Sequence, residues 1–367
     1  MSRVKLGDVA REHKETIKGD KSNYPIVGLE HLIPENIRLT QWDYNKENTF
    51  TKVFRKGCVL FGRRRAYLKK AVYADFDGIC SGDITVIEAI PGKILSELLP
   101  FVIQNDDLFD YAVGKSAGSL SPRVKWEHLK NYEFELPDIE KQHELAKILW
   151  SIVETKESYE RLMAATDELV KSQFIELIGD NPKYKELSMF GTIGTGTTPS
   201  MKIKEYYENR DIPFIKPSDM PECGVVELYD SEFHLDNRAK SVARMIDGGS
   251  LLVTCIGSIG KMVITGNKCS CNQQINYLIP NDDTSILYVA HALNARRQEL
   301  IDYAKAPVVP IINKSDFSKF KIAYVPYEKQ LEFANYVRQS DKSKFELENC
   351  IKNAVSMYKK ILKEYLG

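Results

Sequence analysis

The sequence predicts an α+β protein: two globular mixed α/β units separated by two long antiparallel coiled-coil helices, related by a pseudo-two-fold repeat. Three observations carry this. A Pro-bounded Glu-Lys-Gln segment occurs twice, as Leu136-Pro137-Asp-Ile-Glu140-Lys141-Gln142 and Val325-Pro326-Tyr-Glu328-Lys329-Gln330. A heptad-like apolar ladder follows each copy, and a stretch of short β-like runs precedes each. The chain of 367 residues is long enough for two or three folded units.

The first ladder runs through Leu145, Leu149, Ile152, Tyr159, Met163, Val170 and Leu177, with Lys156, Thr166 and Gln173 as polar rungs. Adding 188 to each number reaches Phe333, Val337, Ser340, Lys344, Leu347, Ile351, Ala354, Tyr358, Ile361 and Tyr365. Alternating steps of four and three residues are the period of a helix seated against another helix. Each copy is expected to run about 38 residues, or about 57 Å at 1.5 Å per residue. Mutual pairing is favoured over each ladder packing on its own globule. The prolines stand 189 apart while Glu-Lys-Gln stands 188 apart, so the second junction reads as one residue shorter.

The globular segments, 1–137 and 180–326, alternate with helices over 138–179 and 327–367. Residues 58–61, 84–87, 250–254 and 276–279 are apolar, β-branched runs bounded by Gly, Pro and Asn, which reads as strands. Helical stretches are expected at 94–104 and 284–303. Weaker internal matches set Gly57–Phe61 against Gly249–Val253, and Ser121–Leu129 against Ile312–Phe320.

Composition excludes several classes. The 51 basic and 51 acidic residues cancel, and 43% hydrophobic with 28% charged residues is ordinary for a globular chain. No apolar run approaches the roughly 20 residues of a membrane span, and the N-terminus lacks the apolar segment of a secretory signal. A cytoplasmic protein with no membrane partner is expected. The seven cysteines are dispersed, so free thiols are expected, and no metal site.

Against neutral overall charge, residues 55–70 carry seven positive charges and no acid. Arg63, Arg64 and Arg65 follow a strand, with Tyr67 between them and Lys69 and Lys70. Guanidinium groups suit phosphates or guanine edges, so the segment reads as a face for a polyanion. The alternative is a solvated strand end whose arginines pair with acids elsewhere. A second candidate is the small-residue loop 114–125, offering Lys115, Ser116, Arg123 and Lys125. In the second half, Thr197, Thr198 and Ser200 lie in a donor-rich turn, and Asn272, Gln273 and Gln274 form an amide cluster suited to adenine edges or to capping turns. Phosphate-loop, dinucleotide, methyltransferase and nuclease patterns are all incomplete, so no chemistry of the chain's own is expected.

These residues resemble one family, the DNA-sequence-specificity subunits of type I restriction–modification enzymes. In the first half the resemblance lies in Leu60-Phe-Gly-Arg-Arg-Arg-Ala-Tyr67 and Asp75-Phe-Asp-Gly-Ile-Cys-Ser-Gly-Asp-Ile84. In the second it lies in Gly196-Thr-Thr-Pro-Ser200, Ile212-Pro-Phe-Ile-Lys-Pro-Ser-Asp219, Leu252-Val-Thr-Cys-Ile-Gly-Ser-Ile-Gly-Lys261, Cys271-Asn-Gln-Gln-Ile-Asn276 and Ile312-Asn-Lys-Ser-Asp-Phe317. Lys216, Ser218, Ser258 and Lys261 join the candidate contacts on that basis.

The resemblance implies two target recognition domains, each reading one half of a split site in double-stranded DNA, with the helices as spacer. It implies two methyltransferase (modification) subunits that methylate adenine N6 with S-adenosylmethionine, and restriction subunits that translocate and cut with ATP and Mg. It implies no cofactor in this chain. Zero net charge suggests weak DNA binding by the chain alone. An alternative is the recognition subunit of a type IIB-like system with one fused methyltransferase–nuclease partner. A self-contained DNA enzyme and a coiled-coil adaptor without a DNA role are the other classes.

Overall fold

A computed structural model describes residues 2–118, 121–304 and 310–367. Ser119 and Leu120 of the candidate loop 114–125 lie outside these. The chain divides into two compact units, Met1–Leu162 with Leu347–Gly367, and Met163–Glu346.

The first unit holds a four-stranded antiparallel sheet of β1 (Ala10–Glu12), β2 (Val59–Gly62), β3 (Ala71–Tyr73) and β4 (Ile84–Ala89), in the order β1-β4-β2-β3. All four residues of β2 are buried, as expected for a strand covered on both faces. A smaller sheet sets Gly78–Cys80 between Ile26–Val27 and Lys52–Phe54. The chain's first strand, Ser2–Lys5, pairs with Glu133–Leu136, which leads into the long helix α1 (Ile139–Ile178).

The second unit repeats this order. Its strands β5 (Gly191–Thr195), β6 (Leu251–Thr254), β7 (Met262–Thr265) and β8 (Ile275–Pro280) run β5-β8-β6-β7, with Val225–Leu228 added beside β7. A ribbon of Lys183–Glu186 with Lys321–Tyr324 leads into α2 (Tyr327–Leu366). All four runs read from sequence as strands lie on β2, β4, β6 and β8. The helical stretches are more broken than expected. Of residues 94–104 only Leu99–Ile103 is α-helix, and a further helix, Asp106–Gly114, follows beyond that stretch. The break falls where Asn105 caps the second of these, accepting from Asp107 N. The later stretch divides into Ile286–Ala295 and Arg297–Tyr303.

Each long helix has 40 residues, about 60 Å at 1.5 Å per residue. In the first unit Leu145, Ala146, Leu149 and Val153 share a core with Leu362 and Leu366, and Tyr358, Ile361 and Tyr365 pack against it. In the second unit Val170 and Phe174 share a core with Phe333, Ala334 and Val337. Phe174 meets Phe333 with ring centroids 5.5 Å apart, and Lys344 reaches Asp167 at 3.0 Å, which is antiparallel pairing. The rungs serve two purposes at once, because the same cores contain Phe101 and Leu129, or Leu251 and Tyr288, from the globules. Pairing between helices and packing on the globule are therefore not alternatives here.

Two glutamines seat the helices. Gln142 Nε2 donates to Pro137 O at 2.9 Å while its Oε1 accepts from Leu95 N at 3.0 Å. Gln330 Nε2 donates to Val325 O at 2.9 Å while its Oε1 accepts from Ser285 N at 3.1 Å. Both side chains are buried, at 2% and 1% exposure. Their carbonyl partners are 188 apart, as are the starts of the two helices and of the strands that precede them. The second junction is thus not a residue shorter. Its proline simply stands one place later, at Pro326, whose carbonyl accepts from Gln330 N as Asp138 O accepts from Gln142 N.

A second alignment also shifts. Val124 N donates to Arg63 O and Ile312 N to Cys255 O, each at 2.9 Å. Val124 therefore corresponds to Ile312, whereas the sequence match had aligned Ser121 with it. Shared small and polar residues around the short helices Trp126–Leu129 and Lys314–Lys319 obscure the register that the backbone sets. All seven cysteines are free thiols. No helix among the described residues is long and apolar enough to cross a membrane.

Gln142→Ala and Gln330→Ala each strand a buried backbone N–H and C=O. Each orphaned group costs about 1–3 kcal/mol, so both variants should unfold at clearly lower urea concentration. An unchanged midpoint would remove the glutamines from this role.

Candidate nucleic-acid interface

In the first unit the basic segment is organised by one acid. Strand β2 ends at Gly62, and the chain turns so that Arg63 N donates to Asp83 O at 3.0 Å. The Asp83 carboxylate then faces three guanidinium groups. Arg123 holds it with two bonds, Nε to Oδ1 at 2.9 Å and Nη2 to Oδ2 at 3.3 Å. Arg64 Nη1 lies 3.7 Å away and Arg63 Nε 3.9 Å away. Arg64 Nε also donates to Ser121 Oγ, and Arg64 and Arg123 are bridged through their backbones. Three positive charges around one negative leave the cluster net positive. These groups are part-exposed, so each ion pair adds little stability and the chief effect is to fix geometry. Arg123 above all, with Arg63 and Arg64, holds the Asp83 carboxyl below the usual range.

Other members of the segment face elsewhere. Arg65 is exposed, with its N–H on Pro122 O. Arg65 and Lys69, both left-handed at φ 54 and φ 50, bracket a turn that carries the exposed Tyr67. Lys69 Nζ is bound to Asp106 Oδ1 at 2.5 Å and Lys70 Nζ to Leu29 O at 2.8 Å. Arg55 pairs with Glu15 and Asp77. Five of the seven charges, on Arg55, Arg63, Arg64, Lys69 and Lys70, thus meet acids, a hydroxyl or a carbonyl distant in sequence, yet the Asp83 group stays cationic. In the loop beyond, Lys115 Nζ lies 5.7 Å from the Tyr111 ring centroid and Ser116 Oγ donates to Ala112 O. Lys125 is exposed at the head of helix Trp126–Leu129.

In the second unit the turn after β5 meets the turn before β8. Gly196 N donates to Ile275 O and Thr197 N to Cys271 O. A Cβ on Gly196 would stand 2.3 Å from Asn272 O, so this approach requires glycine. Thr198 Oγ1 and the Gln273 carboxamide bond each other at the exposed edge, and Ser200 is exposed nearby. Asn272 is buried, and its amide bonds Gln274 Oε1 at 2.9 Å while Gln274 N returns to Asn272 Oδ1. Lys261 is buried with its ammonium on Glu222 at 2.6 Å. These three residues hold the turns. Lys216 Nζ sits 3.0 Å from the Phe233 ring centroid, and Ser218 and Ser258 are exposed.

Sequence reasoning missed two residues. Arg244 donates from its backbone to Thr197 Oγ1 at 3.1 Å and from Nη1 to Thr195 O at 2.8 Å. It follows Arg238 and Lys240 in a sparse basic stretch, where its contacts with the turn after β5 are not encoded. Asp83 lies within the segment Asp75–Ile84, but its pairing role was not legible, because its partners are 19, 20 and 40 residues away.

A family model described as the type I restriction modification DNA specificity domain matches residues 1–164 and 180–357. The chain belongs to that family. Two curated members of type I restriction enzymes are similar over part of its length. The HindI specificity subunit of Haemophilus influenzae is 33% identical over 38% of this chain and 30% of its own length. The MjaIX specificity subunit of Methanocaldococcus jannaschii is 28% identical over 45% of this chain and 39% of its own. The chain thus matches well under half the length of these relatives. Among solved structures, the S subunit of a type I restriction–modification system from M. genitalium covers all of this specificity-family chain. It shares 13% identity, covers 96% of its own chain and has a TM-score of 0.62, which extends the shared fold to both units.

Asp83→Asn tests the electrostatic role of the clamp. A carboxylate with a lowered native pKa adds stability that is complete above its unfolded value, about 3.9. That stability is lost as pH falls through the native value. The variant should lose more stability at pH 7 than at pH 2.5, narrowing its gap to the parent in acid. An equal loss at both pH values, measured by urea unfolding, would make the effect steric.

Proposed function

We propose that this chain is the DNA-sequence specificity subunit of a type I restriction–modification system, reading a bipartite site in duplex DNA. One observation carries the proposal: the scaffold is built twice, but equivalent places on it carry unlike chemistry. Arg63 and Arg64 occupy the positions of Cys255 and Ile256, and Arg123 that of Ile311, by the matched backbone bonds and bridges. A repeated fold with different surface groups suits two different half-sites. The arginine cluster suits phosphates and guanine O6/N7, and the Thr198–Gln273 edge with Arg244 suits amide and hydroxyl contacts to bases.

The paired helices would act as the spacer between the half-sites. Their exposed apolar residues, Ile148 and Met357 in the first unit and Leu169, Ile175 and Phe345 in the second, suit docking of modification subunits, as large exposed side chains on otherwise polar helices do. Those partners would bring S-adenosylmethionine and adenine methylation, and restriction subunits would bring ATP and Mg. The chain itself would recognise and do no chemistry, in the cytoplasm where the DNA is.

Binding to duplexes by the chain assembled with its modification subunits tests this. Arg63→Ala, Arg64→Ala and Arg123→Ala together should weaken binding and flatten its salt dependence by about 0.9 in log–log slope per lost phosphate contact. Discrimination at one half-site should relax by about 1–3 kcal/mol per lost base contact, leaving the other half-site intact. Unchanged affinity and slope would exclude this face.

A further inference from the structure

Strand β4 lies between β1 and β2, and its register collects three donor residues on one face. Glu88 stands opposite Arg11 on β1, His13 lies two residues beyond Arg11, and the pairing of Val59 with Ile87 sets Cys58 beside Glu88. The donor atoms of His13, Cys58 and Glu88 lie within 4.8 Å of one another. We propose that these three residues form a zinc site that ties the ends of β1 and β2 to β4.

An imidazole, a thiol and a carboxylate are a donor set suited to zinc, with three protein ligands leaving a fourth position for water. The neighbours already occupy the places that orient such ligands. His13 Nδ1 faces Glu88 Oε2 at 2.8 Å, and its Nε2 lies 3.2 Å from Glu15 Oε2. With Nε2–H donating to Glu15, the Nδ1 lone pair is free for the metal. Arg55 holds both oxygens of Glu15, and Arg11 Nε holds Glu88 Oε1 at 2.5 Å, leaving Oε2 as the ligand. On binding, the Cys58 thiol proton passes to solvent.

The duplication supplies an internal control. In the second unit the register of β5, β8 and β6 places Gly194, Ile279 and Ser250 where His13, Glu88 and Cys58 stand. The scaffold therefore closes without an imidazole, thiol or carboxylate at these positions, and the cluster is an addition to the first unit alone.

The test uses the full chain, saturated with zinc, desalted and assayed for bound metal, with zinc affinity measured by competition against an indicator. One zinc per chain is expected, with a higher unfolding temperature than after chelation. Cys58→Ser and His13→Asn should each abolish retention. Glu15→Gln, which touches no metal, should weaken affinity about 10–100-fold with unchanged circular dichroism. Replacing the exposed Cys223 and Cys350 by serine should change nothing. Absence of retained zinc in the parent chain, or equal retention in folded Cys58→Ser, would overturn the proposal.

Discussion

A buried glutamine amide at the start of each long helix is the interaction on which the rest of this architecture depends. It spans from the carbonyl five residues before it to an N–H of the globule, so it sets where the helix begins and how its first turn meets the core. An amide is suited to this because it donates and accepts at once in a place without water, where either group left alone is costly. Once α1 and α2 begin at equivalent points, the ladder residues fall in register. Leu145 and Leu149, like Phe333 and Val337, then serve the globule and the opposite helix together.

With the helices so placed, each unit exposes equivalent strand ends and turns. What differs is the side chains there. In the first unit one carboxylate, Asp83, gathers Arg63, Arg64 and Arg123. A lone acid among three arginines draws them to a common point without cancelling their charge, which would suit the proposed polyanion at low entropic cost. In the second unit hydroxyls and amides bond one another across a glycine-tight approach of two turns. Duplication of backbone with divergence of surface is what reading two unlike half-sites demands.

Much of this was legible in the sequence because it repeats with a period. Helices announce themselves through apolar spacing, and Glu-Lys-Gln recurs because its glutamine has a defined job. Buried strands such as Val59–Gly62 are continuous apolar runs. The proline offset misled, since the helix start is set by the glutamine and proline is tolerated at either of two adjacent places. The site was less legible because its organisation is non-local. Lys261 and Asn272 read as surface donors by type, but they are buried and bonded to Glu222 and Gln274. Arg244 and Asp83 act through contacts that no local pattern encodes.

The most direct test of the central claim is a genome-wide map of N6-methyladenine in host cells with this gene intact and deleted. Loss of methylation from a single split motif, two short half-sites across a fixed gap, is the predicted result. An unchanged map in cells whose partner modification subunit is demonstrably active would contradict the account.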